Sequence, residues 1–295
     1  MGCRLCPREC DADRAANEKG YCGETNVIRV ARASLHMWEE PCICGKNGSG
    51  TVFFTGCPLQ CVFCQNASIA TGACGKAITP GRLTEIFLEL QEKEACNINL
   101  VTPTHFVPQI ASALKQAKRE GLSIPIVYNT GGYEKAETLR LMEGLADIYL
   151  PDFKYVSSRL STRYSNASDY FDAACAAIAE MFRQVGSPVI DSRTGLMKSG
   201  IIVRHLMLPG HLADSKRVVS YLFENYRHNI YISIMNQYTP MHIFADMPEL
   251  SRRVSHKEYC ALIDYCISLG IENGFYQEGG SASESFIPSF DYTGV

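Results

Sequence analysis

Three cysteines follow the first apolar run of the chain at a spacing that suits iron-sulfur chemistry. Cys57, Cys61 and Cys64 occupy positions i, i+4 and i+7. A 4Fe-4S cluster normally takes four cysteine ligands, so a loop with three leaves one iron open to a substrate or cofactor. A tetrahedral zinc site would need a fourth Cys or His nearby, and no His lies between Cys57 and Thr104. The spacing therefore favours a cluster with one open iron over a zinc site.

The N-terminal segment contains a second group of thiols. Its members are Cys3, Cys6, Cys10 and Cys22. This span is too short to fold around a hydrophobic core, so four thiols within it predict a structural metal or a second cluster. Zinc and an auxiliary 4Fe-4S cluster both suit these residue types, and both alternatives stay open. Cys42 and Cys44, further along the chain, could substitute for one of the four ligands.

Cysteine usage also indicates the cellular compartment. The chain has 295 residues and 14 cysteines, and nine of these fall within the first 64 residues. The N-terminus lacks the apolar core of a signal peptide, and disulfide scaffolds belong to oxidising compartments. The clustering therefore predicts metal thiolates in a cytoplasmic protein. Four cysteines stand alone in apolar contexts and are predicted to be small buried hydrophobic residues. They are Cys96, Cys175, Cys260 and Cys266.

The overall charge and hydropathy argue against two classes of partner. The formal net charge is −3, so the chain lacks the basic surplus that binding to nucleic acid or to an anionic membrane usually requires. No apolar stretch approaches the roughly 20 residues that span a bilayer. We therefore expect neither a nucleic-acid partner nor a membrane-bound form.

From residue 48 onward, short apolar runs alternate with amphipathic segments, which is the pattern of a parallel sheet with helices outside it. Six strands are predicted, at 51–55, 98–102, 125–129, 148–152, 201–208 and 231–236. Helices are predicted at 81–94, 107–119, 133–145, 165–183, 215–226 and 255–269. Thr79 and Pro80 have the residue types of a helix cap and a first-turn proline.

These βα units fit either a doubly wound sheet or an incomplete TIM-type barrel, and in both folds functional residues gather at the carboxyl ends of the strands. Residues 1–47 are different, because they are polar, rich in Cys, Gly and Arg, and without sustained periodicity. We therefore predict a small Cys-rich module for metal or cluster binding at 1–47. The α/β unit is predicted at 48–295.

The cluster motif carries a family resemblance. Cys57, Cys61 and Cys64, with the aromatic Phe63 before the last thiol, match the motif of the radical S-adenosylmethionine (SAM) superfamily. The Gly-Ser-Gly and Phe-Phe-x-Gly-Cys segments resemble relatives of pyruvate formate-lyase activating enzyme, especially the uncharacterised activase-like branch. The resemblance covers about residues 48–240. It implies an α/β fold in the form of a partial TIM-type (β/α)6 radical SAM barrel, with a C-terminal extension.

The resemblance also implies a reaction. SAM would bind the open iron through its amino nitrogen and carboxylate oxygen, and one electron from the cluster would cleave it. The products would be methionine and a 5′-deoxyadenosyl radical that takes a hydrogen atom from the substrate. The protein would mainly position the cofactors and exclude water.

Residues at the other strand ends are predicted to contact SAM. The Asp-Phe-Lys stretch at Asp152 resembles the Asp-Leu-Lys of the activating enzymes, and Arg204 begins a stretch similar to their Arg-Tyr-Val-Val-Val-Pro-Gly. Arg204 could meet the SAM carboxylate or form an internal salt bridge with Asp152. Asn129 could reach the ribose or serve only as a turn residue. The full predicted set is Phe63, Thr102, Thr104, Asn129, Asp152, Lys154, Arg204 and Gln237.

Three functions are compatible with these features. The leading hypothesis is a radical SAM oxidoreductase that abstracts a hydrogen atom, with activation of a glycyl radical enzyme as one use. The second is radical modification of a small metabolite or peptide, because the N-terminal thiols depart from the activases, whose extra clusters follow the motif. The third is a non-enzymatic binding module stabilised by zinc. For the first two we expect a flavodoxin- or ferredoxin-type reductant.

Overall fold

The computed structural model of the protein describes residues 2–277 and 288–295. Its central feature is a sheet that contains ten strands within these ranges. The strands are β1 (Arg29–His36), β2 (Ser49–Phe54), β3 (Lys76–Ala77), β4 (Ile98–Val101), β5 (Ile126–Thr130), β6 (Ile148–Pro151), β7 (Val189–Ile190), β8 (Met197–Leu206), β9 (Tyr231–Met235) and β10 (Gly274–Tyr276). All six predicted strands are present, as β2, β4, β5, β6, β8 and β9.

Helices connect most of these strands. They are α1 (Pro41–Cys44), α2 (Ala67–Ala70), α3 (Pro80–Glu92), α4 (Val107–Arg119), α5 (Ala136–Leu139), α6 (Ser158–Ser165), α7 (Tyr170–Val185), α8 (Leu212–Tyr226) and α9 (His256–Leu269). The predicted start of α3 is confirmed, because the Thr79 side chain accepts a hydrogen bond from the Arg82 amide at 3.1 Å and Pro80 opens the helix. No helix within the described ranges is long and apolar enough to cross a membrane.

The order of the strands decides between the two predicted architectures. The strands β2, β4, β5, β6, β8, β9 and β10 are parallel neighbours in the order of the chain. A doubly wound sheet reverses its strand order at a switch point, and this sheet does not. Successive neighbours are typical of a TIM-type barrel, and the path ends at β3 and β10 instead of closing. The sheet is therefore a partial barrel.

The N-terminal segment contributes a strand to this sheet. β1 pairs with β2 in antiparallel register, with His36 opposite Ser49 and Leu35 opposite Gly50. The other edge of β1 is bonded to the C-terminal residues, because the Ala33 amide donates to the Thr293 carbonyl at 2.9 Å. The predicted boundary at residue 47 therefore falls between two paired strands.

Two predicted helices differ from the observed ones. The helix predicted at 133–145 is reduced to α5 and one 3-10 turn at Arg140–Met142, followed by Gly144 at a φ of 70°. The helix predicted at 165–183 is interrupted, because Asn166 adopts the left-handed conformation and ends α6. In both places a residue with a positive φ lies within the segment that the apolar periodicity predicts as one helix.

Candidate functional site

The three motif thiols lie on a loop at the carboxyl end of β2. Every residue of β2 is buried, so the strand fixes where this loop begins. Gly56 has a φ of 82°, and a Cβ placed on it would lie 2.8 Å from the carbonyl oxygen of Cys22. Next to it, the Cys57 amide donates to that same carbonyl at 3.2 Å. The loop therefore turns only with a glycine at this position, and it rests on the N-terminal segment.

The three thiols influence each other and are surrounded by donors. Burial raises the pKa of Cys57 to about 11 and that of Cys64 to about 12, and in both cases the charge of Cys61 adds to the rise. The Leu59 amide donates to Cys57 Sγ at 3.4 Å, and the Ser165 hydroxyl donates to Cys61 Sγ at 3.0 Å. Buried thiols with donors aimed at their sulfurs suit bound thiolates, since metal ligation removes the proton.

A cavity of about 210 Å³ opens beside this loop at the carboxyl ends of the strands. It brings together two motif thiols and five of the other predicted polar or charged residues. These are Cys61, Cys64, Asn129, Asp152, Lys154, Arg204 and Gln237. Phe63 also lines it and packs edge-on against Tyr164 and Tyr238, with ring centroids 6.3 and 6.1 Å away. The open side of a three-thiol cluster would therefore face a cavity with mixed charges.

An ion network forms the floor of the cavity. Asp152 accepts from Lys154 Nζ at 2.6 Å and from Arg204 Nε at 2.9 Å. Burial alone would raise the pKa of Asp152, but Lys154 and Arg204 together hold it below its usual value. Arg204 therefore forms the internal salt bridge with Asp152 that was one of its two predicted interactions. Lys154 also lowers the pKa of Cys57 and Cys64, so its charge reaches the thiol loop.

Two predicted cofactor contacts lie outside this cavity. Thr102 and Thr104 are not among its lining residues. Thr104 is fully buried, and its hydroxyl donates to the carboxylate of Glu134. Its neighbour His105 is also buried and is bonded through Nε2 to the Thr55 carbonyl at 2.7 Å. The Thr104 hydroxyl is therefore already used inside the protein, whereas Nδ1 of the buried His105 has no hydrogen-bond partner among the described residues.

The sequence interpretation missed Glu39 in this site. Its Oε1 accepts from the Asn99 side chain at 2.9 Å, and its Oε2 lies 3.3 Å from Arg204 Nη1. Glu39 reaches the cavity because β1 pairs with β2 and carries the following residues across the strand ends. A Glu-Glu pair before a proline is an ordinary helix-start pattern, so no local signal distinguished it.

The four N-terminal thiols form a second group of cysteines, two of which lie close together. A Cβ on Gly20 would lie 3.3 Å from Cys10 Sγ and 3.5 Å from Cys22 Sγ, so these two sulfurs flank one small space. Burial raises the pKa of Cys6 to about 12, with smaller contributions from the charges of Cys22 and Cys3. All four are free thiols. Cys42 and Cys44 are buried residues of α1.

Arginines attach this segment to the barrel. Arg8 donates to the carbonyl of Pro58 at 2.8 Å and to that of Ser165 at 2.7 Å, and it also bonds the carbonyl of Asn166. Arg14 is buried, and its Nη1 donates to the His105 carbonyl at 2.7 Å. The segment that carries the N-terminal thiols is therefore attached to the barrel next to the motif loop.

Across residues 2–277 and 288–295, no three His, Cys, Asp or Glu side chains are close enough together to hold one metal ion. A zinc ion binds sulfur at about 2.3 Å and so draws its ligands to one point. A 4Fe-4S cluster takes one thiolate at each of several corners. The i, i+4 and i+7 spacing of Cys57, Cys61 and Cys64 is the observation that favours a cluster at this loop.

Comparisons with known proteins agree with this geometry. A family model described as a 4Fe-4S single cluster domain matches residues 44–162, which include the three motif thiols. In fold, the chain is similar to SuiB of Streptococcus suis solved with the precursor peptide SuiA, with 12% identity and a TM-score of 0.52. That match covers 77% of this chain and 48% of SuiB, so the chain spans about half the length of SuiB.

The partial barrel confirms the predicted α/β fold class, and the 4Fe-4S family match together with the SuiB-like fold supports the predicted resemblance to radical SAM proteins. A more similar sequence is the uncharacterised protein MJ0674 of Methanocaldococcus jannaschii. It is 28% identical over 267 residues, which cover 87% of this chain and 71% of that protein. A domain of pyruvate-formate lyase-activating enzyme from Bacteroides vulgatus also matches, with 13% identity over 58% of this chain and 91% of that domain, and a TM-score of 0.39.

Proposed function

We propose that this chain is an enzyme that reductively cleaves SAM and uses the resulting radical to take a hydrogen atom from a substrate. The observation that carries this proposal is the cavity, in which two motif thiols face the ion network of Asp152, Lys154 and Arg204. SAM combines a carboxylate, an ammonium, a ribose and an adenine. Cationic, anionic and amide side chains in one cavity can bind such a mixture of groups.

In this proposal Cys57, Cys61 and Cys64 hold a 4Fe-4S cluster, which would supply the electron for the cleavage when bound. Lys154 offers a cation to the SAM carboxylate, while Asp152 fixes its ammonium group at 2.6 Å. Asn129 supplies an amide near the ribose. Phe63 and its aromatic neighbours form a wall that excludes water from the reacting atoms.

The test is anaerobic reconstitution with iron, sulfide, dithionite and SAM, followed by measurement of 5′-deoxyadenosine. Wild type should release it, and Cys61→Ala should reduce the release at least 100-fold because one cluster corner loses its ligand. Cys175→Ala is the matched control, since this half-buried thiol lies on α7 outside both thiol groups. Protein that is loaded with iron but releases none would contradict the proposal. Zinc as the sole metal after anaerobic purification would favour the binding-module alternative.

For the use of the radical, we propose activation of a glycyl radical enzyme, on the strength of the activase-like motif segments. The alternative is modification of a small metabolite or a peptide. The two are separated by incubating the enzyme with a glycine-deuterated candidate partner protein and measuring deuterium in 5′-deoxyadenosine. Transfer of deuterium supports activation of that partner, and its absence with active enzyme excludes that partner.

We also propose that the four N-terminal thiols bind a second metal, either zinc or an auxiliary iron-sulfur cluster. The small space beside Gly20, flanked by Cys10 and Cys22, supports this proposal. So does Arg14, a buried cation for which no carboxylate lies within ion-pair distance among the described residues, because bound thiolates would supply the missing negative charge. Metal analysis of protein with Cys57, Cys61 and Cys64 all replaced by Ala would identify the metal.

A flavodoxin- or ferredoxin-type protein is the proposed reductant. Replacing dithionite with a reduced flavodoxin should sustain the release of 5′-deoxyadenosine at comparable yield. The assignment would be contradicted if dithionite supported release of 5′-deoxyadenosine while reduced flavodoxin and reduced ferredoxin both failed to do so.

A further inference from the structure

A second chamber adjoins the cavity of the motif thiols. It has a volume of about 190 Å³ and shares Glu39, Arg204 and Gln237 with the first cavity. None of the three motif thiols lines it. A group bound there would therefore lie beside the cofactor region and not against the cluster loop.

The acidic side chain specific to this chamber is Glu40. It is 9% exposed, and its Oε2 has no hydrogen-bond partner among the described residues. An isolated buried carboxylate oxygen is unfavourable, because it has lost water and gained no donor. Burial raises the pKa of Glu40 and the charge of Arg204 opposes this rise, but the hydrogen-bond donors of Arg204 are directed to other residues. Arg204 directs Nε to Asp152, Nη2 to Asn129 and Nη1 to Glu39.

Formal charges around the two chambers do not balance. Asp152, Glu39 and Glu40 supply three carboxyl groups, whereas Lys154 and Arg204 supply two cations. Aromatic side chains border the same chamber, with Phe275 and the 60% exposed Tyr276 on its β10 side. A buried carboxylate with aromatic rings near it is the combination that recognises an organic cation.

We propose that this chamber binds an alkylammonium or guanidinium group of the substrate, with Glu40 Oε2 as the acceptor. The inference rests on the proposed function, since it assigns the substrate class of that same site. Glu40 acts here as a substrate-binding residue. The cation would bring a donor to the unpartnered oxygen and would balance the excess carboxylate.

The test uses calorimetric titration of the anaerobically reconstituted protein in the presence of SAM. The probes are methylguanidinium and butylammonium, with N-methylurea and 1-butanol as neutral counterparts of similar size. Both cations should bind at least tenfold more tightly than their neutral counterparts. Glu40→Gln should remove this difference. Glu137→Gln, an exposed carboxylate on α5, should preserve it.

Equal binding of cations and neutral probes by wild type would overturn the proposal without reference to any variant. Discrimination that persists in folded Glu40→Gln would also overturn it. Butylammonium and a blocked lysine amide are compared to distinguish a free amine from a peptide side chain as the source of the cation. Release of 5′-deoxyadenosine by wild type is measured separately. Its absence would contradict the proposed function, while selective binding of the cations would still support the chamber.

Discussion

The two thiol groups of this chain are neighbours in space but differ in what surrounds them. Cys57, Cys61 and Cys64 lie on a loop at the end of a strand, and two of them line a cavity that also has charged side chains in its wall. The N-terminal thiols lie among turns that Arg8 and the buried Arg14 tie to the barrel, and Cys6 and Cys22 are buried whereas Cys10 is exposed. Three thiols beside a cavity suit a reactive site, whereas four thiols in a segment tied to the barrel by Arg8 and Arg14 suit a structural site.

The largest expected effect comes from removing each thiol group separately. With Cys57, Cys61 and Cys64 all replaced by Ala, release of 5′-deoxyadenosine should fall to background, because the cluster has lost every protein ligand. With Cys3, Cys6, Cys10 and Cys22 all replaced by Ala, part of the activity and the iron signal of the motif loop should remain. Electron paramagnetic resonance on both proteins gives the readout. Loss of the motif-loop signal in the second protein would show that the two groups do not act separately.

The next effect concerns Arg14, which donates to the Thr25 carbonyl at 3.1 Å through Nε and to the His105 carbonyl at 2.7 Å. Arg14→Gln leaves buried acceptors without donors and removes the buried cation, so it should destabilise the protein by about 3 kcal/mol. Urea unfolding measures this change. Arg119→Gln, at the exposed end of α4, is the control and should stay within about 0.5 kcal/mol of wild type.

Glu134 is a buried carboxyl group whose proton makes the free energy of unfolding depend on pH. Hydroxyls of Thr104, Thr130 and Tyr128 donate to it, and its charge contributes to the raised pKa of Cys6. Burial raises the pKa of Glu134 from 4.5 to about 7. The folded protein therefore holds this proton more tightly than the unfolded chain does.

The stabilisation from this proton is complete below pH 4.5 and is lost as the pH rises through about 7. Glu134→Gln has no proton to lose, so its free energy of unfolding should fall less with rising pH than that of wild type. The difference should reach up to about 3 kcal/mol, because one pKa unit corresponds to 1.36 kcal/mol. Urea unfolding of both proteins at pH 5 and pH 8 provides the comparison. A stability difference between them that is equal at the two pH values would contradict the assignment.

The smallest effect is expected at Ser165, whose hydroxyl donates to Cys61 Sγ at 3.0 Å. Ser165→Ala removes a donor that favours the more negative, reduced cluster, so the reduction potential should become lower. The change in stability should be about 1 kcal/mol. Ser268→Ala, whose hydroxyl donates to a helix carbonyl on α9, should leave the potential unchanged in the same redox titration.

The strands were predictable because each combines a short apolar run with turn residues, and α4 has the predicted bounds because its apolar face repeats regularly. Local signals also placed Cys57, Cys61 and Cys64 on the loop that follows β2, and their role as cluster ligands stays a prediction. Glu39 and Glu40 were not predictable, since they reach the cavities through the long-range pairing of β1 with β2. Thr104 was predicted to contact SAM because it follows a strand. It does follow a strand, but its hydroxyl donates a hydrogen bond to the carboxylate of Glu134.

The contacts of Arg8 have a consequence for biosynthesis. Its guanidinium is anchored on the carbonyl of Ser165, which lies 157 positions later in the chain. A ribosome delivers the N-terminal cysteines first, and more than half of the protein must follow before this anchor exists. The attachment of the N-terminal segment through Arg8 therefore forms only after more than half of the chain has been translated.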